Sequence, residues 1–249
     1  MLNTRQHKTF ASAMVALCLV LPLSLAATAE ENARQAPELI PYEAEFTASM
    51  SKGVTLNGSA TRSLTDKGSG VWLYRTDVDS LIADIDESLI FRWEDGRVIP
   101  LRYRYRLAGL LIPNREQSID FDWQAGTAQG QYRGKDFDLE LKDGALDPLG
   151  YQLQLQQDLK AGKRDVTYQV IDRRRYDKDR FAVIDEENLT SQGSATRTLK
   201  AEKVRDKSSK RQTLMWFDPQ QDYMLVRLRQ VEPDGREYEL RLTNATLQN

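Results

Sequence analysis

The side chains best suited to chemistry are scarce in this sequence. The single histidine, His7, and the single cysteine, Cys18, both lie within the first 29 residues. That segment reads as a secretion signal. Arg5 and Lys8 precede an almost wholly apolar stretch from Phe10 to Leu25, and Ala27-Thr28-Ala29 places small residues two apart just before Glu30. Cleavage after Ala29 leaves a chain with no imidazole and no thiol. Ser-His-Asp triads, thiolate nucleophiles, disulfides and Cys/His zinc sites then have nothing to be built from. What remains is a carboxylate pair, a Ser-Lys or Tyr-Lys arrangement, or an all-oxygen metal site. No carboxylate pair stands out from those that alternate along polar faces. No catalytic residue, cofactor or metal ligand is therefore assigned, and the sequence leans away from an enzyme.

The apolar run is shorter than the roughly 20 residues that span a bilayer, and it carries Pro22. Cys18 sits in its middle, behind Leu17, where a lipoprotein cysteine would not stand. The expectation is a periplasmic protein that is not integral to the membrane. Of 35 basic residues, Arg5 and Lys8 leave with the signal, so 33 face 37 acidic ones, an excess of four negative charges. That balance argues against a nucleic-acid partner. Residues 30–38 read as a flexible leader and 39–249 as a single β-rich domain.

Three charged groups invite a functional reading. Arg102, Arg104 and Arg106 alternate on one strand face and could hold an anion, but Asp120 and Asp122 alternate in the next segment and offer cross-strand partners. Arg173-Arg174-Arg175, beside Asp172 and Asp177, reads as a solvated turn. Asp84, Asp86 and Glu87 lack the glycine and distal carboxylate of a calcium loop. The loop Ala108-Gly109-Leu110-Leu111-Ile112-Pro113 is richer in apolar residues than loops usually are. It could be a cavity mouth, a partner contact or a membrane-touching tip, and the favoured expectation is that it folds over the sheet to complete the core. Leu81, Ile82 and Ile85 raise the same question.

Period-two alternation dominates the elements that would position these groups. Tyr42, Ala44, Phe46, Ala48 and Met50 share a face; so do Leu101, Tyr103, Tyr105 and Leu107; so do Ile119, Phe121 and Trp123. Short turn-bearing connections such as Asp95-Gly96 and Pro233-Asp234-Gly235 favour antiparallel pairing. The expected fold is mainly β: a large curved antiparallel sheet, a barrel or half-barrel, with one short helix covering an end or face. Asp147 as N-cap, Pro148 in the first turn, leucines at i, i+4 spacing and Gly162 as a stop predict that helix over 148–161. Gly58-Ser59-Ala60-Thr61-Arg62-Ser63-Leu64 recurs as Gly193-Ser194-Ala195-Thr196-Arg197-Thr198-Leu199. The pair reads as two strands in similar environments, with duplication the lesser reading.

The strand Tyr42-x-Ala-x-Phe46, the segment Arg97-Val98-Ile99-Pro100, the helix start Leu146-Asp147-Pro148-Leu149, and Trp216-Phe217-Asp218-Pro219 before Tyr223-Met224-Leu225-Val226-Arg227 together resemble the DUF3108 family of exported proteins. The resemblance implies a β-rich envelope protein and supplies no catalytic residues. The leading functional expectation is a non-enzymatic binding or carrier protein whose sheet encloses an apolar ligand such as a lipid, with Tyr103, Tyr105, Phe121 and Trp123 lining the space. The alternatives are a ligand-free protein that meets an envelope partner through an edge strand or the apolar loop, and a carboxylate-based hydrolase of envelope glycans.

Overall fold

A computed structural model describes residues 38–248 apart from 82, 111–112 and 192–193. The secretion signal and all but the last residue of the leader lie outside the described residues. In chain order the elements are β1 (Tyr42–Lys52), β2 (Val54–Gly68), β3 (Val71–Ser80), β4 (Ala83–Glu94), β5 (Arg97–Gly109), β6 (Arg115–Asp122), β7 (Thr127–Tyr132), β8 (Lys135–Glu140) and β9 (Ala145–Leu146). Helix α1 (Gly150–Lys160) follows, then β10 (Asp165–Asp172), β11 (Arg175–Ser191), β12 (Ser194–Val204), β13 (Gln212–Asp218), β14 (Met224–Val231) and β15 (Glu237–Leu247).

All fifteen strands form one sheet in the order β8-β7-β6-β5-β4-β3-β2-β1-β15-β14-β13-β12-β11-β10-β9. Strands consecutive in the chain pair antiparallel from β1 to β8 and from β10 to β15, β1 pairs antiparallel with β15 to join the two halves, and β9–β10 is the parallel pair, its register setting Val170 beside Leu146. Parallel neighbours need a crossover, and α1 provides it. With β8 at one edge and the two-residue β9 at the other, the sheet is not closed by a ladder. The segment after β8 instead meets β11 through Tyr176, whose hydroxyl donates to Glu140 O at 3.0 Å and accepts from Lys142 N at 3.0 Å. Bulges at Glu45/Phe46, Asp66/Gly68, Ile90/Phe91, Val183/Asp185 and Trp216/Phe217 add the local twist that a curled sheet of this length requires.

The alternation read from sequence fixes the inner face. Tyr42, Ala44, Phe46 and Ala48 of β1 are buried while Glu43, Glu45 and Thr47 are exposed. Leu64, Tyr74, Leu89, Tyr103, Ile119 and Phe121 continue the core across β2 to β6, and Phe181, Met215 and Phe217 supply it from the other half. Phe137, Leu139 and Leu141 pack against that core from the β8 side.

Helix α1 is enclosed rather than laid on the surface. Leu153, Leu155 and Leu159 are buried, and so are Gln154, Gln156, Gln157 and Asp158. Asp147 Oδ1 accepts the N–H groups of Leu149 and Gly150, both at 2.9 Å, so the cap residue is the one its sequence position predicts, with Pro148 and Leu149 in the turn before Gly150. The other end closes as a Schellman motif: Lys163 N donates to Asp158 O at 2.9 Å, Gly162 N to Leu159 O at 3.0 Å, and Gly162 takes φ +87°.

Four sequence expectations change. Asp120 does pair with Arg102 at 3.1 Å and Arg104 at 2.9 Å, exposed contacts worth at most about 1 kcal/mol each. Asp122, however, caps the following turn by accepting from Gln124 N and Ala125 N, because its side chain lies nearer those free amides than the arginines. Of the apolar loop, Leu110 does not join the core but is 83% exposed, just past the end of β5, while Leu111 and Ile112 lie outside the described residues. The two GSATR segments do not share an environment. Ala60, Arg62 and Leu64 are buried in β2, whereas in β12 Ala195 and Arg197 are exposed, Arg197 pairing with Glu186, and only Leu199 of the matching three is buried. Glu87 leaves the acidic turn group and bonds Tyr103.

Gly130 of β7 tests the register of the β6–β7–β8 edge. A Cβ there would stand 2.0 Å from Ser118 O and 2.8 Å from Phe137 Cζ. Gly130→Ala is expected to lower the urea unfolding free energy by about 1–3 kcal/mol; an unchanged midpoint would mean this edge is paired differently.

Candidate functional site

Enclosing a helix rich in glutamine obliges the surrounding sheet to answer each amide. Gln154 does so twice, its Oε1 accepting from Val98 N at 2.8 Å and its Nε2 donating to Gly96 O at 3.1 Å. Gln156 Nε2 donates to Asp222 O at 3.0 Å, and Lys160 pairs with the Asp222 carboxylate. Asp158 accepts from Tyr168 at 2.8 Å, Lys163 at 2.9 Å and Gln154 at 3.2 Å. Burial and the Asp158 carboxylate together hold the Tyr168 phenol well above its usual range. These contacts tie α1 to the β4–β5 turn, the β13–β14 turn and β10.

The side of the helix facing β2 to β5 is less fully answered. Arg62 of β2 is only 3% exposed. Its Nε donates to Thr76 Oγ1 at 3.0 Å and one Nη to Gln152 Oε1 at 3.1 Å, and the guanidinium carbon lies 5.4 Å from the Tyr74 ring centroid. Its other Nη is buried without a hydrogen-bond partner, and among the described residues no carboxylate forms an ion pair with it. Burial works against this charge. Tyr74, Tyr42 and Glu87 outweigh it, and the guanidinium pKa stays raised.

Nearby acids are pushed the other way. Glu87 Oε1 accepts from Tyr103 Oη at 2.6 Å, and burial raises the Glu87 pKa despite that bond and the pull of Arg62. Burial raises Asp147 from 3.8 to about 7, because its Oδ1 is bonded to the helix amides while its Oδ2 has no partner and lies against Gly150 and Leu89. Gln157 Oε1 is a third buried atom without a partner. The tyrosines around the seat, Tyr42, Tyr103 and Tyr151, are all held above their ordinary range, first by burial.

Of the four residues expected to line a ligand space, the structure brings Tyr103, Tyr105 and Phe121 to the inner side of β5 and β6. Tyr103 is fully buried at the seat. Tyr105 packs at its margin, and burial pushes its phenol up to about 12. Phe121 stacks on Trp123 at 6.3 Å and 11°, and Trp123 Nε1 donates to Pro100 O at 2.6 Å. Sequence reasoning placed Glu87 in an acidic surface group and did not single out Arg62 or Gln152; Arg62 carried a signal, as a charge set between Ala60 and Leu64 on its strand face.

Space is found on the other side of the sheet. A groove of about 500 Å³ is lined by Thr61, Asp77, Asp79, Asp84, Asp86 and Arg106 among others, and one of about 320 Å³ by Arg104, Arg106 and Glu116 among others. Neither is lined by Arg62, Glu87 or Asp147. Beside α1, the gap bounded by Leu155, Leu159, Phe181 and Ala201 leaves no room for a water-sized probe. Among the described residues no group of three His, Cys, Asp or Glu side chains could hold a metal ion, and no helix is long and apolar enough to cross a membrane.

A family model described as a protein of unknown function, DUF3108, matches residues 45–243. No curated protein matches the chain. Among solved structures, a β-barrel-like protein of domain of unknown function DUF1849 from Brucella abortus aligns at 11% identity with a TM-score of 0.55, over 85% of this chain and 99% of that one. This likeness concerns the fold. A Vibrio parahaemolyticus domain provisionally assigned as an outer membrane lipoprotein-sorting protein aligns at 11% identity over 88% and 90% of the two chains, with a TM-score of 0.23, too low to argue from.

Asp147 gives this site a pH signature. An unfolded aspartate titrates near 4, so between about pH 4 and pH 7 the folded chain keeps a proton that the unfolded chain has lost. Stability therefore falls as pH rises through that window, by on the order of 4 kcal/mol for three units, and stays reduced above it. Glu87 and Asp172 are raised too and act in the same direction. In urea unfolding from pH 4 to 8, Asp147→Asn, which keeps the capping oxygen and cannot ionise, is expected to remove most of the slope. A slope equal to that of the wild type would contradict it.

Proposed function

The chain belongs to the DUF3108 family, and from that membership and the seat of helix α1 we propose that it is a non-enzymatic binding or carrier protein of the periplasm whose ligand is an amphipathic anion. One observation carries the reading: a guanidinium withdrawn from water that has a free donor and, among the described residues, no carboxylate in ion-pair contact, the nearby Glu87 being bonded to Tyr103 instead. A buried cation of this kind is costly unless something pairs with it. The carboxylate of a fatty acid or the phosphate of a lysophospholipid fits that need. Its chain would then lie along the inner face, against Tyr103, Tyr105 and Phe121 and toward Trp123, in the volume that α1 occupies here.

Helix α1 is thus the plug of the site. Its polar side chains hold it in place, and three atoms at the seat, on Arg62, Asp147 and Gln157, gain nothing from its staying. The hydrolase reading has less support. Glu87 and Asp147 are both buried acids of raised pKa, but one is bonded to a tyrosine and the other caps a helix, and neither lines a groove that a glycan could enter.

Titration of the delipidated protein with oleate, read by tryptophan emission, is expected to show a saturable shift. Trp123→Phe should lose most of that shift while remaining folded. Oleyl alcohol, which lacks the charge, should bind at least about tenfold more weakly, since a charge-assisted hydrogen bond contributes roughly 1.5–3 kcal/mol. No saturable change with oleate or lysophospholipid would refute the reading, and equal affinity for the acid and the alcohol would remove Arg62 from it.

A further inference from the structure

Three successive hairpins at one end of the sheet carry large aliphatic residues in water. Leu81, in the β3–β4 turn, is 87% exposed; Leu110, just after β5, is 83% exposed; Val54, the first residue of β2, is 71% exposed. The ladder registers place the tips together. Ala83 of β4 pairs with Gly109 of β5, so Leu81 and Leu110 flank the last rung. Gly58 of β2 pairs with Ser80 of β3, so the β1–β2 hairpin runs past the same end with Val54 near its tip.

Turn chemistry does not call for these residues. Four other two-residue hairpins here use Ser69-Gly70, Asp95-Gly96, Arg133-Gly134 and Arg173-Arg174 at positive φ, three of them the polar and glycine choices that such turns favour and none of them aliphatic. Between Ser80 and Ala83 the sequence has Leu-Ile instead. The turn is held by the Ser80 hydroxyl, which donates to Ala83 O at 2.8 Å and accepts from Ala83 N at 3.1 Å. The leucine is therefore free of a structural task. In Leu110 the chain likewise leaves an aliphatic group outside a core that it could have joined.

We propose that these hairpin tips form a lipid-contacting rim that dips into the surface of a bilayer. The area decides against a protein partner. Three such side chains offer roughly 400 Å², about half of the ~800 Å² that each partner buries in a standard protein interface, whereas a lipid surface accepts separate projecting groups without a matching face. The charge decides which lipid. Lys52 is already paired with Asp234 at 3.1 Å, and the exposed residues flanking the Leu81 turn are Asp79 and Asp84. Among the described residues the bases at this end are Lys52 and Arg115, too few for a basic belt, so insertion rests on the aliphatic groups and needs no anionic headgroup. The rim is independent of the ligand reading: either can fail while the other stands.

Flotation of the protein with phosphatidylcholine vesicles, with and without phosphatidylglycerol, tests this. The wild type is expected to float with both. Val54→Ser/Leu81→Ser/Leu110→Ser, whose changes are all exposed and should leave the thermal melt unchanged, is expected to bind at least tenfold more weakly. No flotation of the wild type, or undiminished flotation of the variant, overturns the rim. So does a wild-type dimer by light scattering that the triple variant turns into a monomer, since the tips would then be meeting a second copy.

Discussion

A helix placed inside a sheet must find partners in that sheet for its buried polar groups, and this requirement, met here at all but a few atoms, organises the molecule. Four residues in succession, Gln154 to Gln157, are buried with Asp158 beyond them, so α1 has no face left over for water. The partners come from far along the chain: Gly96 and Val98 after β4, Asp222 after β13, Tyr168 on β10, Arg62 on β2. Each of these holds only if the sheet curls enough to bring its two halves to the same helix. The five bulges supply that curvature, and the helix in turn supplies the crossover for the sheet's parallel pair, β9–β10. Fold and plug depend on one another.

The outer face shows a different economy. Trp216 of β13 is buried there beneath Lys200 and Arg227, whose charges lie 5.4 and 4.5 Å from its ring centroid, while Glu187 accepts its indole N–H at 2.8 Å and also pairs with Lys200. Arg227 continues to Glu239, and Glu239 to Arg241. Every charge in this ladder has a neighbour of opposite sign. Arg62 differs from these arginines in being only 3% exposed with no carboxylate in ion-pair contact, and that is the reason a ligand is proposed for the seat.

How much of this could be read in the sequence follows from what local pattern can encode. Strands such as Tyr42–Ala48 were legible because one face is apolar and the other charged. The helix ends were legible because Asp147-Pro148 and Gly162 have local geometric duties. The glutamines were not, since a polar residue on a helix reads the same whether it meets water or a buried amide. The GSATR segments show the limit most clearly. The same local string leaves Arg62 buried against Gln152 of α1 and Arg197 exposed beside Glu186, because the neighbouring elements differ. The seat is tertiary information, assembled from β2, β4, β5 and α1, and no single stretch contains it.

If α1 is a plug, it must open more easily than the sheet that surrounds it. Native-state hydrogen exchange measures this directly, because each amide reports the free energy of the opening that frees it. The amides of Gln154 to Leu159 are expected to exchange together, through an opening at least a hundredfold more frequent than the one that frees the central β1–β15 amides, and to exchange faster when oleate is bound than when it is withheld. Exchange of α1 and β1 at one common rate, unchanged by oleate, would mean that the helix leaves only when the whole sheet unfolds, and would contradict the account.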